Sequence, residues 1–166
     1  MQALRSSLSR PALFARAPAA GLRLQRQQPR LFSSSAAAAP ATTPFVLLAH
    51  VKVHKALLDE HMAFAHQIDG IVQETEPGML YHALDADPAD ECRFTWTEVY
   101  QDDAALLFHF DNPPVIAAMG PETEKFYDGG IDIHIYGEVA EETKAEVRKR
   151  GIEISFHSKQ LGYSRL

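Results

Sequence analysis

The side chains able to move protons or hold a planar ligand gather in the latter two thirds of this 166-residue sequence, where all eight histidines lie between His50 and His157. Trp96, Glu98 and Tyr100 alternate along one apolar stretch, and a period of two puts them on one face of a strand. His50, His82, His134 and Tyr136 stand in other strand-like stretches and could share that face. Such a group would line a cleft with aromatic walls and hydrogen-bonding tips. The plainer reading packs Trp96 and Tyr100 into a core or an interface and gives Glu98 a structural hydrogen bond or ion pair. No metal centre is legible. His50 and His54 stand too far apart along a strand to chelate one ion, and His61 and His66, five apart on a helix, diverge. Cys92 is the sole cysteine, which excludes an internal disulfide and a multi-cysteine knot and suits a reducing compartment.

The elements that must position these groups follow from periodicity. Phe45–Val53 is apolar and β-branched, with alternation in its second half, and reads as a strand. His54–Thr75 reads as a helix, because Leu57, Leu58, Met62, Ala65, Ile68 and Val72 recur on one face. Glu76-Pro77-Gly78 ends it, with Gly78 expected to supply a positive φ at the third turn position. Met79–Ala86 and Cys92–Tyr100 read as a hairpin joined by Asp87-Pro88-Ala89-Asp90. Asp102 or Asp103 caps a helix through Phe110. Asn112-Pro113-Pro114 starts another, expected to reach about Tyr127 and stop at Asp128-Gly129-Gly130. Ile131–Val139 is a fourth strand. A short helix from Glu141-Glu142 to Arg148-Lys149-Arg150 has the charge order the helix dipole favours, Gly151 stops it, and Ile152–Phe156 alternates as a fifth strand. The order β-α-β-β-α-β is the ferredoxin-like arrangement, an α+β fold whose antiparallel sheet carries its helices on one face. The other face is left bare, and apolar residues fall on both. A second copy of the chain is the simplest cover.

Charge divides the chain. No Asp or Glu precedes Asp59, while residues 1–32 hold six arginines and no lysine. An Arg-rich, Ser-rich, acid-free start has the composition of an organellar transit peptide, and Arg30-Leu31-Phe32-Ser33 resembles a mitochondrial processing site. The sequence therefore predicts a transit segment over 1–32, bound for the mitochondrion first and the plastid second. A linker over 33–44, a domain over 45–138 and an αβ extension over 139–166 follow. Taking the six arginines from 16 basic residues leaves ten against 22 acidic ones, near −12. That argues against nucleic acid as a partner, since phosphate binding needs clustered Lys and Arg. The longest apolar run, near Phe45–Ala49, falls far short of the roughly 20 residues that span a bilayer, so no membrane insertion is expected.

Two stretches resemble a known family. Glu76-Pro77-Gly78-Met79-Leu80-Tyr81-His82 is similar to the turn and strand of the antibiotic biosynthesis monooxygenase (ABM) domains. Phe94-Thr95-Trp96-Thr97-Glu98-Val99-Tyr100-Gln101-Asp102-Asp103-Ala104-Ala105-Leu106, followed by His109, is similar to their second signature. The resemblance covers about residues 45–138 and implies a homodimeric α+β barrel, extended here by the αβ tail. It also implies an oxygenase that needs no metal or flavin, deprotonating a phenol, quinol or anthrone-like small molecule whose anion reduces O2 directly. Such chemistry asks for a base that titrates near neutral pH in an apolar cavity. His109 is the candidate base and Glu98 the second catalytic candidate; His109 could instead cap or pack the helix end. His50, His82, Trp96, Tyr100, Phe108 and His134 are the candidate substrate contacts. The heme-degrading branch fits less well, because Ala49 stands where its first-strand Asn is expected, and its third-strand Trp falls nearer Tyr100 than Trp96. The alternative is a non-catalytic barrel that binds a small molecule or a partner protein. A cleft lined by His109 and polar strand residues favours the enzyme, and one filled by Trp96, Phe108 and Tyr100 favours the binder.

Overall fold

A computed structural model describes residues 43–120 and 123–162. The expected transit segment and nearly all of the 33–44 linker lie outside the described residues. Five strands form one sheet in the order β2-β3-β1-β4-β5: β1 Phe45–Val53, β2 Met79–Asp87, β3 Asp90–Tyr100, β4 Tyr127–Tyr136 and β5 Ile154–His157. The helices are α1 Leu58–Thr75, α2 Asp103–Asp111, α3 Pro113–Met119 and α4 Glu141–Lys149. The expected α+β architecture is present, with one change of strand direction in the sheet. β1, β2, β3 and β4 pair antiparallel, whereas β5 lies parallel to β4. A parallel neighbour needs a crossover, and α4 supplies it.

Local chemistry explains where the elements start and stop. The His54 backbone is extended and its N–H donates to the Phe126 carbonyl, so α1 begins later than the apolar spacing suggests. A single 3₁₀ turn, Lys55–Leu57, leads into it. Asp102 caps α2, accepting the Ala105 N–H at 2.9 Å. α3 stops at Met119 and not near Tyr127. Pro121 follows, the residue before a proline is driven out of the helical region, and Gly120 has ψ 171°. Asp128-Gly129-Gly130 is correspondingly no stop but part of β4, where the register against β1 shifts between Val51 and Val53. Gly129 and Gly130 take φ of 99° and 88° there, the backbone that a bulge demands. Gly78 is not among the positive-φ glycines of the described residues. It is required for a different reason: a Cβ there would sit 2.7 Å from Ala105 Cβ, so the turn packs directly on the first turn of α2.

The inward sheet face carries Phe45, Leu47, Ala49, Trp96 and Tyr100, which form one core with Ala65 of α1, Leu106 of α2 and Val147 of α4. The helices thus cover this face. The other face presents half-buried Val46, Leu48 and Val99 and exposed Tyr81 and Tyr136, at 51% and 45%.

Candidate functional site

Between the inward sheet face and α1, α2 and α3 lies a cavity of about 340 Å³, within the range that holds small ligands. Leu47, Ala49 and Ile133 floor it, Phe64 and Ile68 of α1 and Met119 of α3 wall it, and Ile152 reaches it from the C-terminal extension. Four ionisable side chains break this apolar lining: His82, Glu98, His109 and Tyr127, whose phenol pKa burial pushes up to about 12.

His109 occupies the last turn of α2, and its Nδ1 lies 2.9 and 3.1 Å from the two carboxylate oxygens of Glu76. A carboxylate only accepts, so Nδ1–H donates and the neutral ring keeps its lone pair on Nε2. Glu76 is 4% exposed at the C-terminus of α1. Its carboxylate also accepts a hydrogen bond from Asn112 Nδ2 at 2.8 Å, and the same amide donates to Thr75 Oγ1. Burial disfavours the charged His109, yet the Glu76 hydrogen bond and the Glu98 and Glu76 charges outweigh it and raise its pKa above the usual histidine value. Burial likewise opposes the Glu76 carboxylate. The hydrogen bonds from His109 and Asn112, with the His109 charge, still leave its pKa below the ordinary range. The pair is built to carry a proton on the imidazole.

Glu98 accepts the Tyr100 hydroxyl at 2.5 Å. Burial, then the Glu98 charge and hydrogen bond, push Tyr100 well above the usual phenol range, so it stays a donor. Its ring meets His109 edge-on at 5.8 Å. Tyr100 is wholly buried and stands behind Glu98, outside the lining. His82 stacks on Trp96 with ring centroids 4.7 Å apart, and its Nδ1 donates to Asp69 Oδ1 at 2.9 Å.

The structure therefore brings His82, Trp96, Glu98 and His109 together, and parts the rest. His50 and His134 do not share the face of Trp96, because Ala49 pairs with Trp96 and Ile133, and alternation turns His50 and His134 to the opposite side of the sheet. There His50 bonds Thr95 Oγ1, and His134 bonds His157 and Asp132. His50 lines a separate, more open groove of about 620 Å³ with Lys52, Arg93 and Asp132. Phe108 points away from the cavity, 48% exposed, and Phe110 takes its place in the lining. Among the described residues no set of three or more His, Cys, Asp or Glu side chains is placed to hold a metal ion. Nothing in the sequence marks Glu76, Asn112 or Asp69 as members of the site, save that Glu76 is a charged residue fixed at the start of a Pro-Gly turn.

The family model described as antibiotic biosynthesis monooxygenase matches residues 44–120. Among solved structures, MupZ of Pseudomonas fluorescens is similar at TM-score 0.57 and 19% identity, covering 74% of this chain and 95% of its own. A candidate antibiotic biosynthesis monooxygenase of Caulobacter crescentus CB15 is similar at TM-score 0.54 and 22% identity, over 58% of this chain and 91% of its own. Its counterpart from Bacteroides thetaiotaomicron reaches TM-score 0.50 and 21% identity, over 55% and 85%. At these identities the likeness concerns the fold. No match is found among curated proteins.

Proposed function

We propose that this chain, whose residues 44–120 match the antibiotic biosynthesis monooxygenase model, is a monooxygenase that needs no cofactor and oxidises a planar phenol, quinol or anthrone-like small molecule with O2. The observation that carries the reading is the buried Glu76–His109 pair opening on an apolar cavity. A substrate O–H or activated C–H gives its proton to His109 Nε2, and the imidazolium is held by the Glu76 carboxylate. The apolar walls leave the substrate anion poorly solvated, which favours its oxidation. Glu98, fixed by Tyr100, accepts a hydrogen bond from a substrate hydroxyl and so orients it. Oxygen uptake by the purified protein across a quinol and anthrone panel tests this, with His109→Ala as the control. Losing a positioned base costs on the order of 10²–10⁴-fold. Saturable ligand binding with no oxygen uptake would instead make the chain a small-molecule binder.

We further propose a homodimer that buries the face bearing Val46, Leu48, Tyr81 and Tyr136, and delivery to mitochondria by residues 1–32. Fusing residues 1–40 to a reporter tests the second; cytosolic retention would count against it.

A further inference from the structure

We propose that His82, held by Asp69, is a second proton acceptor of the cavity, and that the substrate gives up two protons in succession to two different histidines. The proposal rests on the oxygenase reading and adds a group to it. Both histidines line the same cavity, and each commits Nδ1 to a carboxylate at 2.9 Å. Each neutral ring is thereby fixed in the tautomer that leaves Nε2 as the base. His82 comes from β2 and His109 from α2, so the two rings approach the space from different elements. The Trp96 stack orients the His82 ring, and its side chain is only 8% exposed. The charges are coupled as well, since His82 contributes to lowering the Glu76 pKa.

The two carboxylates differ in a way that assigns the order. Glu76 is nearly sealed, at 2% side-chain exposure, whereas Asp69 is 52% exposed. A proton shared between His109 and Glu76 is therefore retained, whereas Asp69 can pass one on to water, although the His82 ring itself is the less exposed of the two, at 8% against 15%. Retention is what the first half of the reaction needs. His109 removes one proton from a substrate methylene, the carbanion's electrons reduce O2, a C–O bond forms, and the peroxide anion takes the proton back from His109 as a hydroperoxide. In the second half His82 removes the remaining C–H proton, the carbonyl forms, the O–O bond breaks, and hydroxide leaves. Hydroxide takes the His82 proton to become water. One methylene and one molecule of O2 thus become one carbonyl and one water: the carbon is oxidised, O2 is reduced, and both histidines end neutral.

The test uses anthrone as the probe with the full chain, reading oxygen uptake, organic hydroperoxide and anthraquinone together. His82→Gln keeps a planar polar side chain and removes the acceptor. It should release anthraquinone at least tenfold more slowly than it consumes oxygen, and accumulate hydroperoxide. His109→Gln should lose oxygen uptake itself. Should His82→Gln fail to fold, as read by circular dichroism, Asp69→Asn replaces it and should show the same partition to a smaller degree. Anthraquinone released at the wild-type rate without hydroperoxide would overturn the proposal. Uptake and release falling in equal proportion would also overturn it, showing that His82 only shapes the site. A wild-type chain that consumes no oxygen with any member of the panel would sink the oxygenase reading itself, a result distinct from either.

Discussion

Glu76 decides over which pH range His109 can accept a proton. Its charge and hydrogen bond raise the imidazole pKa, and only the neutral ring is a base, so the oxygenase rate should climb with pH through a midpoint above the usual histidine value of about 6.5. Glu76→Gln removes the charge. The midpoint should then move to lower pH and the plateau should drop, as a pH profile of kcat/KM would record; an unmoved midpoint would uncouple the pair. His61 is the opposite case. It is fully buried, neither ring nitrogen has a hydrogen-bond partner, and Phe94, Phe126 and Tyr127 surround it. Burial lowers its pKa, so its unfolded form binds the proton first. Stability from neutral His61 is complete above about pH 6.5 and is lost as pH falls toward the folded pKa. Raised His109 contributes in the other sense, fully below about 6.5 and progressively less as pH rises through its folded pKa. His61→Leu should therefore raise the melting temperature and flatten its decline on the acid side. Unsatisfied buried polar groups cost about 1–3 kcal/mol, which sets the gain to expect.

At the scale of elements, α4 is capped from outside. Its own cap residue, Ala140, has no side chain to offer, and Asp103 of α2 accepts both the Ala140 N–H and the Thr143 hydroxyl at 2.9 Å. Asp103 is 1% exposed. Asp103→Ala should cost about 1–3 kcal/mol in denaturant unfolding and loosen Ile152 at the cavity; an unchanged midpoint would mean water replaces the carboxylate freely. Packing of this kind was not legible in the sequence. Alternation within a strand was, so Trp96, Glu98 and Tyr100 were correctly placed on one face. Alternation carries no information about the neighbouring strand, and one residue of register sent His50 to the far side. The Glu76–His109 pair spans 33 residues and exists only because the ends of α1 and α2 meet. The start of α2 was readable from the Asp102 cap and that of α3 from Pro113 and Pro114, whereas the early stop of α3 lay in Pro121, a signal the apolar pattern concealed.

For the whole molecule, the homodimer reading makes the bare sheet face decisive. Apolar burial contributes about 25 cal/mol per Å², so a charge at its centre should be intolerable in the dimer and harmless in a monomer. Leu48→Glu should halve the mass seen by light scattering at micromolar concentration while leaving circular dichroism unchanged. A wild-type chain that is already monomeric would end the proposal. Among the described residues no helix is long and apolar enough to cross a membrane.

The sheet order has a consequence for biosynthesis. β1 lies between β3 and β4, and both partners are encoded after it. On the ribosome, the segment FVLLAHVKV emerges first among the described strands and keeps both edges open until Asp90–Tyr100 has been made. A nascent chain halted before that point presents an apolar, β-branched strand with no ladder to join, the kind of segment that chaperones shield and that otherwise aggregates. Slowing translation between Val53 and Asp90 should therefore lower the soluble yield, whereas the same delay after Tyr136, with both partners in hand, should do so far less.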